Sequence, residues 1–167
     1  MTGKRTTAAR GFTLIELMMV IGIIGVLASV AMPEFQNMEF RSKIAERDSI
    51  MAAIEQAVQD VTLNASTIPL TGANTFAGNW NPDAHPGVQK RPWVQGQPGW
   101  QSLGMVVTGS TYCSYFFTLN TTTMLLTVVG ECDVDGDGVQ NTRTQTYLGM
   151  GNAFILQTDV TTGLNAF

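Results

Sequence analysis

Charge is scarce in this sequence. Only 13% of its 167 residues are Asp, Glu, Lys or Arg, and from Phe12 to Met32 a single one, Glu16, interrupts an almost unbroken apolar run. Cations are the scarcer sign. Lys4, Arg5 and Arg10 stand in the first eleven residues without an acid, so the side chains beyond them sum to −7 where the whole chain sums to −4. No basic stripe is left to track a phosphate backbone, and a nucleic-acid partner is not indicated. Histidine occurs once, as His85 in the turn-like Pro82-Asp83-Ala84-His85-Pro86, and no Ser, Cys or carboxylate set of catalytic type is assignable around it. A surface turn residue is its expected role. Without a nucleophile, base and orienter the chain does not read as an enzyme. Cysteine is limited to Cys113 and Cys132, too few for a disulfide scaffold. Behind an export-type leader they favour one bridge in an oxidising compartment.

What is present begins with that apolar run. About 20 apolar residues suffice to span a bilayer as a helix, and a carboxylate inside such a helix costs roughly 2.5–3.5 kcal/mol on insertion scales. Glu16 therefore implies a task. Residues 1–11 read as a basic leader to be left out of fold reasoning. Its cations stay cytoplasmic by the positive-inside rule, which places the C-terminal part outside the inner membrane. An ordinary secretory signal cut after Ser29-Val30-Ala31 is the competing reading, and it would release a soluble calcium-binding or adhesive domain. Glu16 weighs against it, because a signal core gains nothing from a carboxylate.

The stretch GFTLIELMMVIGIIGVLASVAMPEF, Gly11 to Phe35, resembles the N-terminus of type IV prepilins and of type II secretion pseudopilins. The resemblance implies cleavage after Gly11 by prepilin peptidase, methylation of the new terminus at Phe12, and a fifth mature residue, Glu16, that pairs with the Phe12 amine of a neighbouring subunit. It also implies that Pro33 closes the apolar segment. The expected function is then a structural subunit of a type IV pilus-like filament, inserted first in the inner membrane. Other pilin subunits in a helical filament, periplasm-spanning or extracellular, are its partners. A pseudopilin or a minor pilin is the alternative within that class. The cysteine pair is similar to the disulfide-bounded segment of pilins, although 35 residues follow Cys132. Calcium in the head is more similar to the major pseudopilin.

Cutting before Phe12 creates an α-amino group four positions from Glu16, and residues i and i+4 share a helix face. Beyond the run, Ile44, Met51, Ile54, Val58 and Val61 recur at helical spacing, so Glu34 to Thr62 is expected to continue the helix as an amphipathic half. Arg41, Lys43, Glu46, Arg47, Asp48, Glu55 and Asp60 fall between them and are expected to face solvent or other subunits. Pro33 predicts a kink or melted segment between Gly22 and Pro33. Five of six prolines and all three tryptophans crowd Asn64 to Gly104, which reads as a structured loop with the aromatics packed beneath it. Strands are expected over Leu103–Thr108, Tyr112–Leu119, Met124–Val129, Thr144–Leu148 and Ala153–Thr158. The organisation is thus 1–11 leader, 12–33 transmembrane and assembly helix, and 34–167 amphipathic helix with head. The fold class is α+β, a long N-terminal helix packed on an antiparallel sheet.

A hairpin turning at Asn120–Thr123 brings Cys113 opposite Cys132 to within about one residue of register. Directly after Cys132, Asp133, Asp135 and Asp137 alternate and Gly138, Val139, Gln140 and Asn141 follow. Oxygens of Asp133, Asp135, Asp137 and Asn141 with the Val139 carbonyl match the first nine positions of a calcium loop. Thr144 stands where a bidentate Glu belongs, so a plain Asp-Gly turn is the competing reading. Calcium is expected as a structural ion.

Overall fold

The structure, a computed structural model, describes residues 11–64 and 67–163. The leader lies outside them, apart from Gly11. One helix, α1, runs Leu14–Asn64, and the chain forms two compact units, residues 1–38 and 39–167.

In the first unit every described residue from Gly11 to Gln36 is exposed. Leu, Ile, Val and Met occur on all sides of the helix, so it has no polar face to give to water. It is long and apolar enough to cross a membrane by length and composition. The expected melting between Gly22 and Pro33 is not found, and the helix is unbroken there. Proline's missing N–H forfeits one bond, to the Ser29 carbonyl, and a single loss is local.

The second unit is a helix on a sheet. Five strands, β1 (Thr75–Asn81), β4 (Ser114–Asn120), β5 (Leu125–Cys132), β6 (Asn141–Met150) and β7 (Ala153–Thr162), pair antiparallel in the order β1-β4-β5-β6-β7. Two short strands, β2 (Arg91–Pro92) and β3 (Ser110–Thr111), pair beside them, and a one-turn helix α2 covers Trp100–Leu103. Met51, Ile54 and Val58 of α1 are fully buried with Phe117 and Leu119 of β4 and Leu126 and Val128 of β5. Ile44 and Val61 pack at the margins. The sheet makes room for the helix at Gly130, where a Cβ would lie 2.8 Å from Arg47 Cγ and 2.9 Å from Met51 Sδ.

Arg47 departs from the expected solvent face, whereas the Asp48 side chain beside it stays 44% exposed. Arg47 is 3% exposed, and it fills the seven-residue gap between Ile44 and Met51 in the buried stripe. Its Nη1 donates to Asn141 Oδ1 at 2.5 Å and to the Asn141 carbonyl at 3.2 Å, while Nε donates to Asp48 Oδ1 at 3.2 Å. Arg143 on β6 pairs with Asp48 at 2.8 Å and with Asp159 on β7 at 2.5 Å. Alternating charges thus run from α1 across β6 to β7. Burial pushes the Arg47 guanidinium below its ordinary pKa, and the Arg143 hydrogen bonds hold the Asp159 carboxyl below its own.

The Trp-rich loop also yields a strand, β1, that the sequence pattern hid. Gly78 lets Trp100 and Phe117 meet against it, since a Cβ there would fall 2.4 Å from the Phe117 ring. Trp100 Nε1 then donates to the Asn79 carbonyl at 2.5 Å. Trp93 and Trp100 are buried edge to face at 5.0 Å, and Trp80 lies half-buried on Phe116. The strand expected at Leu103–Thr108 is instead the end of α2 and irregular backbone. Gly104 in the left-handed conformation, φ 67°, stops α2 and redirects the chain.

Candidate functional site

The start of α1 is built by two side chains. Thr13 precedes the helix, and its carbonyl accepts the first helical bond from the Leu17 N–H at 3.3 Å. Its hydroxyl accepts from the Glu16 N–H at 3.3 Å, and Glu16 Oε2 accepts from the Thr13 N–H at 2.9 Å and from the Thr13 hydroxyl at 2.6 Å. This reciprocal arrangement is a capping box, which satisfies otherwise orphaned donors at a helix start. Thr13 is the residue that sequence reasoning missed, and the spacing Thr-x-x-Glu ahead of an apolar run was its signal. Phe12 precedes the cap and is outside the helix. The shared helix face expected for Phe12 and Glu16 is therefore absent, because the helix begins two residues later. Glu16 is held by its own chain at the point where the apolar segment starts. Gly11 and Phe12 are exposed and lie outside any helix or strand just ahead of it, and Pro33 is exposed inside the helix.

The other candidate lies between β5 and β6. Cys113 and Cys132 are bridged, with Cα atoms 4.4 Å apart. Ser114 pairs with Glu131 and Asn120 with Leu125, so continuing that register sets the cysteines directly opposite. A Cα separation near 4.5 Å is that of a non-hydrogen-bonded antiparallel pair. The hairpin turns one residue later than the sequence suggests, over 121–124.

Past the bridge, buried Val134 anchors an acidic loop in which Asp133 is half-buried and residues 136–140 are exposed. One oxygen from each of Asp133, Asp135 and Asp137 lies within 4.8 Å of the others. Asp133 Oδ1 accepts from the Gly136 N–H at 2.9 Å, Asp135 Oδ1 from the Asp137 N–H at 3.4 Å, and Asp137 Oδ1 from the Val139 N–H at 2.7 Å. Three convergent carboxylates are of the donor type a hard cation takes. Asn141 is not with them. Its Oδ1 is committed to the Arg47 guanidinium and its Nδ2 donates to the Gly163 carbonyl at 3.3 Å, so a cation is not welcome at that oxygen. Val139 is exposed at the loop's end.

His85 is exposed in an Asx turn, its N–H donating to Asp83 Oδ1 at 2.9 Å. Its carbonyl and Asp83 both accept from Arg91, whose Nη2 also donates to Ser114 Oγ at 2.9 Å. The histidine shapes a turn.

The fold and the helix start define a class: an α+β head carrying an exposed apolar N-terminal helix whose first turn bears a carboxylate. Residues 7–32 match the model of the prokaryotic N-terminal methylation motif. The chain is 43% identical over 72 residues to a fimbrial protein of Neisseria meningitidis serogroup B, covering 43% of this chain and 41% of that protein. It is 41% identical over 76 residues to a type IV major pilin protein of Neisseria gonorrhoeae, covering 46% and 45%. It is 37% identical over 76 residues to a type IV major fimbrial protein of Dichelobacter nodosus, covering 42% and 49%. The chain thus spans less than half the length of the curated relatives it matches. No solved structure matches.

Proposed function

We propose that the chain is a structural subunit of a type IV pilus-like filament. The carrying observation is the methylation motif over residues 7–32 leading into a helix whose apolar side chains, from Leu14 to Phe35, are exposed. Such a surface has two chemically suited environments, a bilayer before assembly and the helices of other subunits after it. In this reading prepilin peptidase cuts after Gly11, Phe12 becomes the methylated terminus, and the chain waits in the inner membrane before entering a periplasm-spanning or extracellular filament. The capping box supports the assignment of Glu16. Thr13 holds one carboxylate oxygen and leaves Oε1 for the amine of a neighbouring subunit. A pseudopilin or minor-pilin role uses the same machinery and differs in abundance. No catalytic role is part of this reading. Glu16→Ala tests it: membrane insertion persists while incorporation into sheared filaments falls. Normal incorporation would restrict Glu16 to capping its own helix.

Calcium is a second proposal, supported by the convergence of the Asp133, Asp135 and Asp137 oxygens on a loop pinned by the Cys132 bridge. With Asn141 committed elsewhere, water and the Val139 carbonyl must complete the six to eight ligands, and affinity falls in the roughly 10⁻⁴–10⁻³ M range of extracellular modules. Thermal unfolding of the full-length chain in detergent checks this. A calcium-selective rise that vanishes in Asp135→Ala supports the ion, and identical melting in chelator and in calcium removes it.

A further inference from the structure

The acidic loop holds two Asp-Gly peptide bonds, Asp135-Gly136 and Asp137-Gly138, and the structure treats them differently. In such a bond the glycine nitrogen, unhindered by a side chain, is a nucleophile toward the preceding carboxyl carbon. Whether it reacts depends on how that nitrogen is held. The Gly136 N–H is engaged, donating to Asp133 Oδ1 at 2.9 Å. Gly136 is also packed, since a Cβ there would lie 2.8 Å from Val88 Cγ1. Gly138 has neither restraint. Its N–H has no partner among the described residues, and nothing lies within 4 Å of where a Cβ would be. The carboxylates differ in the same sense. Asp137 Oδ1 accepts from the Val139 N–H at 2.7 Å, which folds the carboxyl across the intervening Gly138 peptide. The equivalent contact of Asp135 is loose, at 3.4 Å.

We propose that Asp137-Gly138 is a site of spontaneous succinimide formation and aspartate isomerisation, and that Asp135-Gly136 is held in reserve against the same chemistry. The Gly138 nitrogen bonds to Asp137 Cγ, the carboxyl's hydroxyl leaves as water with the amide proton, and a five-membered imide closes. Water then adds to either ring carbonyl. Addition at Cγ breaks the new C–N bond and restores aspartate. Addition at the backbone carbonyl breaks the original peptide bond, so the chain continues through the former side chain and the backbone gains one methylene. Water lost equals water regained, with no oxidant or co-reactant. The product carries its free carboxylate at a displaced position, out of register with Asp133 and Asp135. The inference stands on the amide partners and packing of two peptide bonds, independently of calcium and of filament assembly.

The test is to age the purified full-length chain in detergent, in mildly acidic buffer without divalent ions, beside a sample unfolded in urea. Isoaspartate is then located by enzymatic methylation of isoaspartyl carboxylates and by electron-transfer fragmentation of the loop peptide. The folded chain is expected to accumulate isoaspartate at position 137 several-fold faster than at 135, and urea to bring the two rates together. Asp137→Glu, which would need a six-membered ring, is expected to abolish the signal, and Asp135→Glu to leave it. Equal rates in the folded chain, a faster rate at 135, or no isoaspartate in the folded chain overturns the proposal.

Discussion

The two units of this chain satisfy their side chains in opposite ways. In the head, α1 and the sheet bury a core of apolar groups between them, and the buried polar pair Arg47 and Asn141 bond one another. Along the first unit no described side chain up to Gln36 is buried, and the one charge inside the apolar run, Glu16, is satisfied by the residue that caps the helix. The helix is complete only in an apolar environment that other molecules provide. The same residue types, Leu, Ile, Val and Met, therefore form a buried core in one unit and an exposed apolar surface in the other.

Breaking the head's own restraints is expected to have the largest effect. Replacing Cys113 and Cys132 by Ser opens a loop of 19 residues, and the chain-entropy relation puts the loss at about 3 kcal/mol. Thermal unfolding of the full-length chain with and without reductant reads it, and the apolar helix should be unaffected. Arg47→Ala comes next. It strands the buried Asn141 Oδ1 in the helix–sheet contact, at a cost of about 2 kcal/mol for an orphaned buried acceptor, while Asp48 keeps its pair with Arg143. Arg47→Met together with Asn141→Leu should recover much of that loss, because removing both partners avoids an orphaned polar group.

Two smaller effects sharpen the contrast. Thr13→Ala removes the hydroxyl of the capping box and should cost about 1 kcal/mol, confined to the first turn. Hydrogen exchange at Leu14 to Leu17 is the readout, with head melting unchanged. The smallest concerns pH. Asp159 has a folded-state pKa below its ordinary value because Arg143 hydrogen-bonds its carboxylate. The unfolded state therefore binds the proton more readily. The stability it contributes is present above the ordinary carboxylate range and lost as pH falls through and below it. Asp159→Asn should flatten that part of the acid melting curve, and a slope equal to the unmutated chain's would remove Asp159 from the network.

Legibility in the sequence tracked how local each signal was. The apolar run with Glu16, the buried stripe Met51, Ile54 and Val58, and the cysteine register depend on spacing along one element or one hairpin, and all were readable. Arg47 was misplaced because a cation in a buried stripe reads as an interruption. Only its distant partner Asn141, on β6, explains it. β1 was hidden because Gly78 and the Asn residues depress strand propensity, while the reason for Gly78 is Trp100, brought back across it by the loop. Leu103–Thr108 has strand composition, but Gly104 turns the chain there. Thr13 is legible as a cap from the spacing Thr13-x-x-Glu16 ahead of an apolar run. In the acidic loop the alternation of carboxylates was visible, whereas the commitment of Asn141 to Arg47 is a tertiary fact.

The claim that the first unit is retained and used for assembly has one direct measurement, the intact mass and N-terminal peptide of the mature chain recovered from sheared filaments. The account predicts a chain beginning at N-methylated Phe12, with Glu16 and the whole apolar helix present. A mature chain beginning at Met32, found in the soluble fraction, would contradict it.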